Sequence, residues 1–160
     1  MTEEVIFNKC VERAYEYFDE IRSIQEYELS ALTCNYVLEY MYILVNRMNL
    51  DKLKKHADEY ILACISIACK YNETELIPIG AIFRMYGYKI GKITKYELEV
   101  MRGLDCVFNM LTVSTIISHL LEEPSDIEVR DIFGIRAWEV FKRDRTEVAL
   151  EMLSKYKNLI

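Results

Sequence analysis

The feature that most constrains this chain is the run Tyr60 to Glu73, YILACISIACKYNE, the most apolar and least punctuated stretch in it. Between Tyr60 and Ala68 only Ser66 is conspicuously polar, and the small residues Ala63, Cys64, Ser66, Ala68 and Cys69 fall on every side of a helical wheel. A helix that is apolar all round belongs in the interior of a bundle, and small side chains let its neighbours approach closely. The run is too short to cross a bilayer, and Lys70-Tyr71-Asn72-Glu73 ends it at once. A buried strand is the rival reading of a short apolar run. It fits less well, because the segment extends backward from Glu59 through His56 to Leu53 without Gly or Pro, which predicts one central helix of ordinary length.

The rest of the chain reads as more helices around that one. Val5, Ile6, Cys10, Ala14, Tyr17, Phe18 and Ile21 recur at helical spacing and predict an amphipathic helix from Glu3 to Ile24. After a polar break at Gln25 to Glu28, Leu32, Tyr36, Val37, Tyr40, Ile43, Leu44 and Met48 mark a second helix, Leu29 to Met48, and Asn49 to Asp51 supplies the next N-cap. Pro78 stands near the start of a short helix, Ile79 to Tyr86, which Gly87 ends in a left-handed conformation. Gly87 to Lys92 reads as a loop, Thr94 as the opening of a helix to about Cys106, and Thr112 to Leu121 as another short one. Beyond Pro124-Ser125, Asp126 to Phe141 and Arg145 to Tyr156 are expected as two last helices. The fold class is all-α.

A chain of 160 residues with only 5 Gly and 2 Pro can bury a core without staples. Its net charge of -6 argues against affinity for nucleic acid, which comes from neutralising phosphates. The acidic start MTEEVIFNKC lacks the features of a secretory leader, so an intracellular protein with reduced cysteines is expected. The five cysteines, Cys10, Cys34, Cys64, Cys69 and Cys106, include no CxxC pair and read as small core residues. His56 and His119 stand apart, with no metal-ligand spacing around them, and no phosphate loop or nucleophile elbow occurs. No cofactor, no membrane span and no enzymatic activity is expected. A binding protein remains.

Three ordered blocks resemble the cyclin family. Ile65-Ser66-Ile67-Ala68-Cys69-Lys70-Tyr71-Asn72-Glu73 resembles the end of the third helix of a cyclin box, where a small pair precedes Lys, an aromatic and Glu. Tyr42 to Met48 resembles the end of the second helix, and Glu97-Leu98-Glu99-Val100-Met101-Arg102-Gly103-Leu104 the fifth. The likeness covers roughly Val5 to Leu121, most closely from Tyr42 onward. It implies a cyclin-like five-helix box with additional C-terminal helices: an N-terminal helix plus box over 1–121 and a helical extension over 122–160 packed on it. It further implies a regulatory subunit that binds and activates a cyclin-dependent serine/threonine protein kinase in cell-cycle or nutrient-signalling control, in the nucleus or cytoplasm. The layout is closest to single-box cyclins of the G1 and phosphate-signalling type.

By that resemblance, a Lys at the end of the third helix and a Glu in the fifth grip the kinase; here these are Lys70 and Glu97, with Ile67, Met101, Cys106 and Phe108 as apolar neighbours. Two plainer readings stand beside it. Lys70 is also a cation near a helix C-terminus, and Thr94 to Glu97 reads as a capping box, which would leave Glu99 as the contact. Asn46 replaces an Asp common in the family, and the Met-Arg-Ala-Ile-Leu run that docks Arg-x-Leu substrates is absent. In the tail, Ile127, Ile132, Ile135, Trp138 and Phe141 form an apolar stripe, read either as packing on the box or as a partner surface. The alternative to the kinase reading is a cyclin-fold transcription-factor-like or adaptor protein that binds other protein partners.

Overall fold

The computed structural model describes residues 2–24, 29–73, 79–108, 110–122, 127–133 and 137–159, and every regular element among them is an α-helix. Helix α1 (Glu3–Ile24) buries Ile6, Phe7, Cys10, Val11, Ala14, Tyr17, Phe18 and Ile21, while Val5 faces out. Helix α2 (Ala31–Arg47) starts at Ser30, whose hydroxyl accepts the Thr33 N–H, two residues later than the apolar spacing suggests. The break expected at Gln25 to Glu28 lies outside the described residues.

The central helix is not continuous back to Leu53. Asn49 caps a short helix α3 (Leu50–Lys55) by accepting from Lys52 N–H, as the sequence predicts, but His56 then leaves helical geometry at φ -118, ψ 34. Helix α4 (Ala57–Asn72) begins afresh. The backbone bonds His56 N–H to Lys52 O and Tyr60 N–H to His56 O span the break at 3.1 Å each. The break therefore needs neither Gly nor Pro here, and the His56 ring at it lies 5.7 Å from that of Tyr96.

Every residue of α4 from Tyr60 to Cys69 is buried. Helices α1 and α2 pack on it from one side and α6 from another. Helix α5 (Ile79–Met85) closes at Gly87, φ 84, with Gly87 N–H on Arg84 O and Tyr88 N–H on Phe83 O, the paired bonds of a left-handed helix stop. Pro78 lies outside the described residues.

Helix α6 (Ile90–Gly103) starts earlier than expected, inside the segment read as a loop, and ends earlier too. Asp105 and Cys106 follow at φ 53 and 56, and Cys106 N–H bonds Met101 O at 2.8 Å. This is the same kind of stop as at Gly87, built without glycine. Helix α7 (Val113–Leu121) is capped by Thr112, whose hydroxyl accepts from Thr115 N–H.

The segment read as one helix from Asp126 to Phe141 holds two short ones, α8 (Val129–Phe133) and α9 (Trp138–Phe141), and α10 (Arg145–Leu159) follows. Ile135 and the side chain of Ile132 lie outside the described residues. Among the described residues of the stripe, Ile127, Trp138 and Phe141 are buried and so pack inward: the Trp138 and Phe141 rings lie 5.6 and 5.5 Å from Phe7, and both pack on Tyr42. Arg145 at the start of α10 makes a two-pronged pair with Glu39 of α2, 2.6 and 3.0 Å, and α10 lies along α7. No helix among the described residues is long and apolar enough to cross a membrane.

Candidate partner-binding site

Lys70 emerges from the last turn of α4, the first residue after the buried run, and its side chain is 55% exposed. Glu97 sits in the middle of α6 and is nearly buried. The expected capping box does not form. Because α6 begins at Ile90, Thr94 is interior, and its hydroxyl donates back to Ile90 O at 3.1 Å. Glu97 is therefore released from any capping role and points instead at α4, where Lys70 Nζ lies 3.2 and 3.1 Å from its two oxygens. Ser66, one turn before Lys70 and fully buried, donates its hydroxyl to Glu97 Oε1 at 2.5 Å.

Beside the pair opens a cleft of about 100 Å³ between α4, α5 and α6, lined by Lys70, Gly80, Phe83, Ile90, Ile93, Thr94 and Glu97. Phe83 and Ile93 form an apolar floor, and Ile90 stands exposed on the rim. On the other flank of Lys70, Tyr71 is exposed and its ring stacks on Phe108 with centroids 4.6 Å apart. Phe108 is fixed in turn by its own carbonyl, which accepts from the Tyr40 hydroxyl at 2.8 Å. Val107 and Leu111, near it in sequence, are exposed.

The apolar residues expected beside Lys70 and Glu97 divide. Phe108 and Met101 are half-buried and pack on the core from its surface, and Cys106 is exposed. Ile67 is fully buried, so its side chain is core and reaches no partner. Glu99, the alternative to Glu97, faces the opposite way. It accepts from Tyr60 Oη at 2.5 Å and Lys52 Nζ at 2.9 Å. Burial would raise its pKa, but those bonds outweigh it and hold the carboxyl below its usual range.

Glu73 is likewise engaged elsewhere. Its carboxylate accepts from Ser30 N–H, Ser30 Oγ and Thr33 Oγ1 and so closes the start of α2. Asn46 is exposed and donates to Tyr42 O within its own helix. Ser66, Ile90, Tyr71, Val107 and Leu111 join the site without having been expected in it. For Ser66 the sequence does hold a signal, since one polar residue in an otherwise apolar buried helix must find a partner.

Ser66, Glu97 and Lys70 superficially form a hydroxyl, a base and a cation, but a hydroxyl with no exposure meets no substrate. Burial pushes the Cys10 and Cys69 thiols up to about 12 and Cys34 and Cys64 upward as well, which keeps all four as unreactive thiols. Among the described residues no group of His, Cys, Asp and Glu could hold a metal ion. A second cavity, of about 110 Å³, lies between α1, α3 and α4, with Ile6, Cys10, Ala57 and Ile61 within and Lys9, Arg13 and Lys54 around it. Comparison with known protein families, with curated proteins and with solved structures finds no match to this chain.

Proposed function

We propose that this chain is a cyclin-box regulatory subunit that binds and activates a cyclin-dependent serine/threonine protein kinase inside the cell. In this reading α1 to α7 hold the N-terminal helix and the box, with α4 as the third helix of the box and α6 as the fifth, and α8 to α10 are the C-terminal extension. One observation carries it: Lys70 and Glu97, selected by resemblance alone and 27 residues apart, meet at 3.1 Å on the rim of an apolar cleft. A capping role for Glu97 would have separated them.

The physical work is that of a seat. An aliphatic side chain of the kinase enters the cleft over Phe83 and Ile93, Lys70 donates to an oxygen beside it, and the Tyr71–Phe108 stack excludes water on the other flank. Binding shifts the kinase toward the arrangement in which its own catalytic Lys and Glu pair, because that arrangement alone fits the seat. The second cavity does not suit Arg-x-Leu docking: a motif arginine would meet Lys9, Arg13 and Lys54.

The test is affinity capture from cells of the source organism with the wild-type chain and a Lys70→Ala/Glu97→Ala variant, followed by protein identification and a kinase assay on the captured material. The expected result is a cyclin-dependent kinase, active, on the wild type and at least about tenfold depleted on a variant with unchanged circular dichroism. Recovery of other partners without any such kinase would refute the reading.

A further inference from the structure

The Lys70–Glu97 pair is not symmetrical. Glu97 has an 11% exposed side chain and already accepts three bonds, one from Ser66 and two from Lys70. A carboxylate has about four acceptor positions, so little of it is left to offer outward. Lys70 is half in solvent, and an ammonium carries three N–H donors that can rotate toward a newcomer. Ser66 and Lys70 are four residues apart and so share one face of α4, which lets both reach the same carboxylate across the gap to α6. The Ser66 hydroxyl is fully buried and spends its proton on Glu97.

We infer that Ser66 and Glu97 are positioning residues that form a buried bracket for Lys70, that neither touches the partner, and that the partner presents an acceptor oxygen, a carbonyl or a carboxylate, to Lys70 Nζ. This rests on the kinase-binding reading for the identity of the partner and narrows its chemistry: the recognised group accepts hydrogen bonds and does not donate them to Glu97. The lysine torsions nearest the ammonium are held before binding, which lowers the ordering cost of association. The direct grip of Glu97 on the kinase that the resemblance implies is replaced by an indirect role.

The bracket is judged first in the free protein, by nitrogen relaxation of the Lys70 ammonium. In wild type its motion is expected to be restricted relative to an exposed lysine such as Lys95; in Ser66→Ala and Glu97→Gln it rises toward that level. An ammonium equally mobile in all three forms overturns the bracket, whatever the partner proves to be. Partner contact is judged next, with the captured kinase as the probe. Lys70→Met is expected to weaken binding at least about tenfold, and Ser66→Ala to do so by less. Adding Ser66→Ala or Glu97→Ala to Lys70→Met is expected to bring no further loss, because a bracket with nothing to hold contributes nothing. A further loss of about fivefold or more on adding Glu97→Ala, in a chain whose melting is unchanged, overturns the indirect role and restores direct contact. Should Glu97→Ala unfold the chain, Glu97→Gln replaces it in the same cycle. Absence of any kinase on the wild type counts against the functional reading, and the relaxation result then decides the bracket by itself.

Discussion

Replacing Arg145 by Ala is expected to destabilise the fold by about 3 kcal/mol at neutral pH, far more than loss of an ordinary surface pair. The side chains of Glu39 and Arg145 are 8% and 19% exposed, and the guanidinium meets both carboxylate oxygens at 2.6 and 3.0 Å. It also donates to the Phe141 and Arg143 carbonyls at 2.7 and 2.8 Å and lies 4.9 Å over the Phe141 ring. Removing one partner of a buried pair costs about 3–5 kcal/mol, chiefly through the charge left behind; the residual exposure of Arg145 places this case at the low end. For a chain of this size, about 3 kcal/mol is a fall of roughly 10 °C in melting temperature.

The cost depends on pH in a defined direction. Burial raises the Glu39 pKa, and the hydrogen bond and charge of Arg145 only partly offset this. A carboxyl whose folded pKa exceeds its unfolded one contributes most stability below the unfolded value and loses it as pH rises through the folded value. Without Arg145 the upward shift grows, so the deficit of the variant is greatest at neutral pH and narrows on acidification into the carboxylate range. Urea unfolding of wild type, Arg145→Ala and Glu39→Met/Arg145→Met across that range measures it. The double variant is expected to recover to within about 1.5 kcal/mol of wild type, since it leaves no charge unpaired. A single-variant cost under about 1 kcal/mol, or one that does not change with pH, would refute the reasoning.

Three further outcomes are expected. Gly103→Ala would bring its new Cβ within 2.6 Å of Leu44 Cδ2, on a fully buried side chain that must shift within the core, and should cost about 1–3 kcal/mol in thermal or urea unfolding. Titration with a thiol-specific disulfide reagent should modify Cys106 rapidly in the native chain and Cys10, Cys34, Cys64 and Cys69 only in denaturant, because those four are buried; a second fast thiol would contradict the packing. A fluorescent Arg-x-Leu peptide should show no saturable anisotropy change at moderate salt, given Lys9, Arg13 and Lys54 around the α1–α4 cavity; saturable binding to the wild-type chain would overturn that expectation.

How much of the fold is legible in the sequence depends on where the information is local. Helix α1 matches its expected limits because its stripe and polar flanks lie within it, and Asn49, Gly87 and Thr112 act as caps through their own side chains or backbone freedom. The break at His56 is hidden because no local breaker marks it, and the contact of its ring with Tyr96 of α6 is one that no local pattern announces. The start of α6 is obscured for a related reason. Its N-cap is Lys89, which makes no side-chain bond, while Thr94 and Glu97 imitate a capping box one turn inside the helix. The Lys70–Glu97 pairing can be proposed from sequence, but the bond of Ser66 to Glu97 is made across the α4–α6 interface, and Tyr71 stacks on Phe108 beyond the end of α6, contacts distant in sequence.

Helix α4 also bears on how the chain assembles. With Tyr60 to Cys69 covered on all sides, it has no face that water tolerates. Its neighbours α1 and α2 precede it, but α6 arrives only from Ile90 onward. Until then, a chain growing from its N-terminus leaves the α6-facing side of this helix uncovered, the kind of apolar surface that chaperones hold and that drives aggregation. Once α6 closes over it, the amides of α4 open only with the whole molecule, so they should be the last to exchange with deuterium.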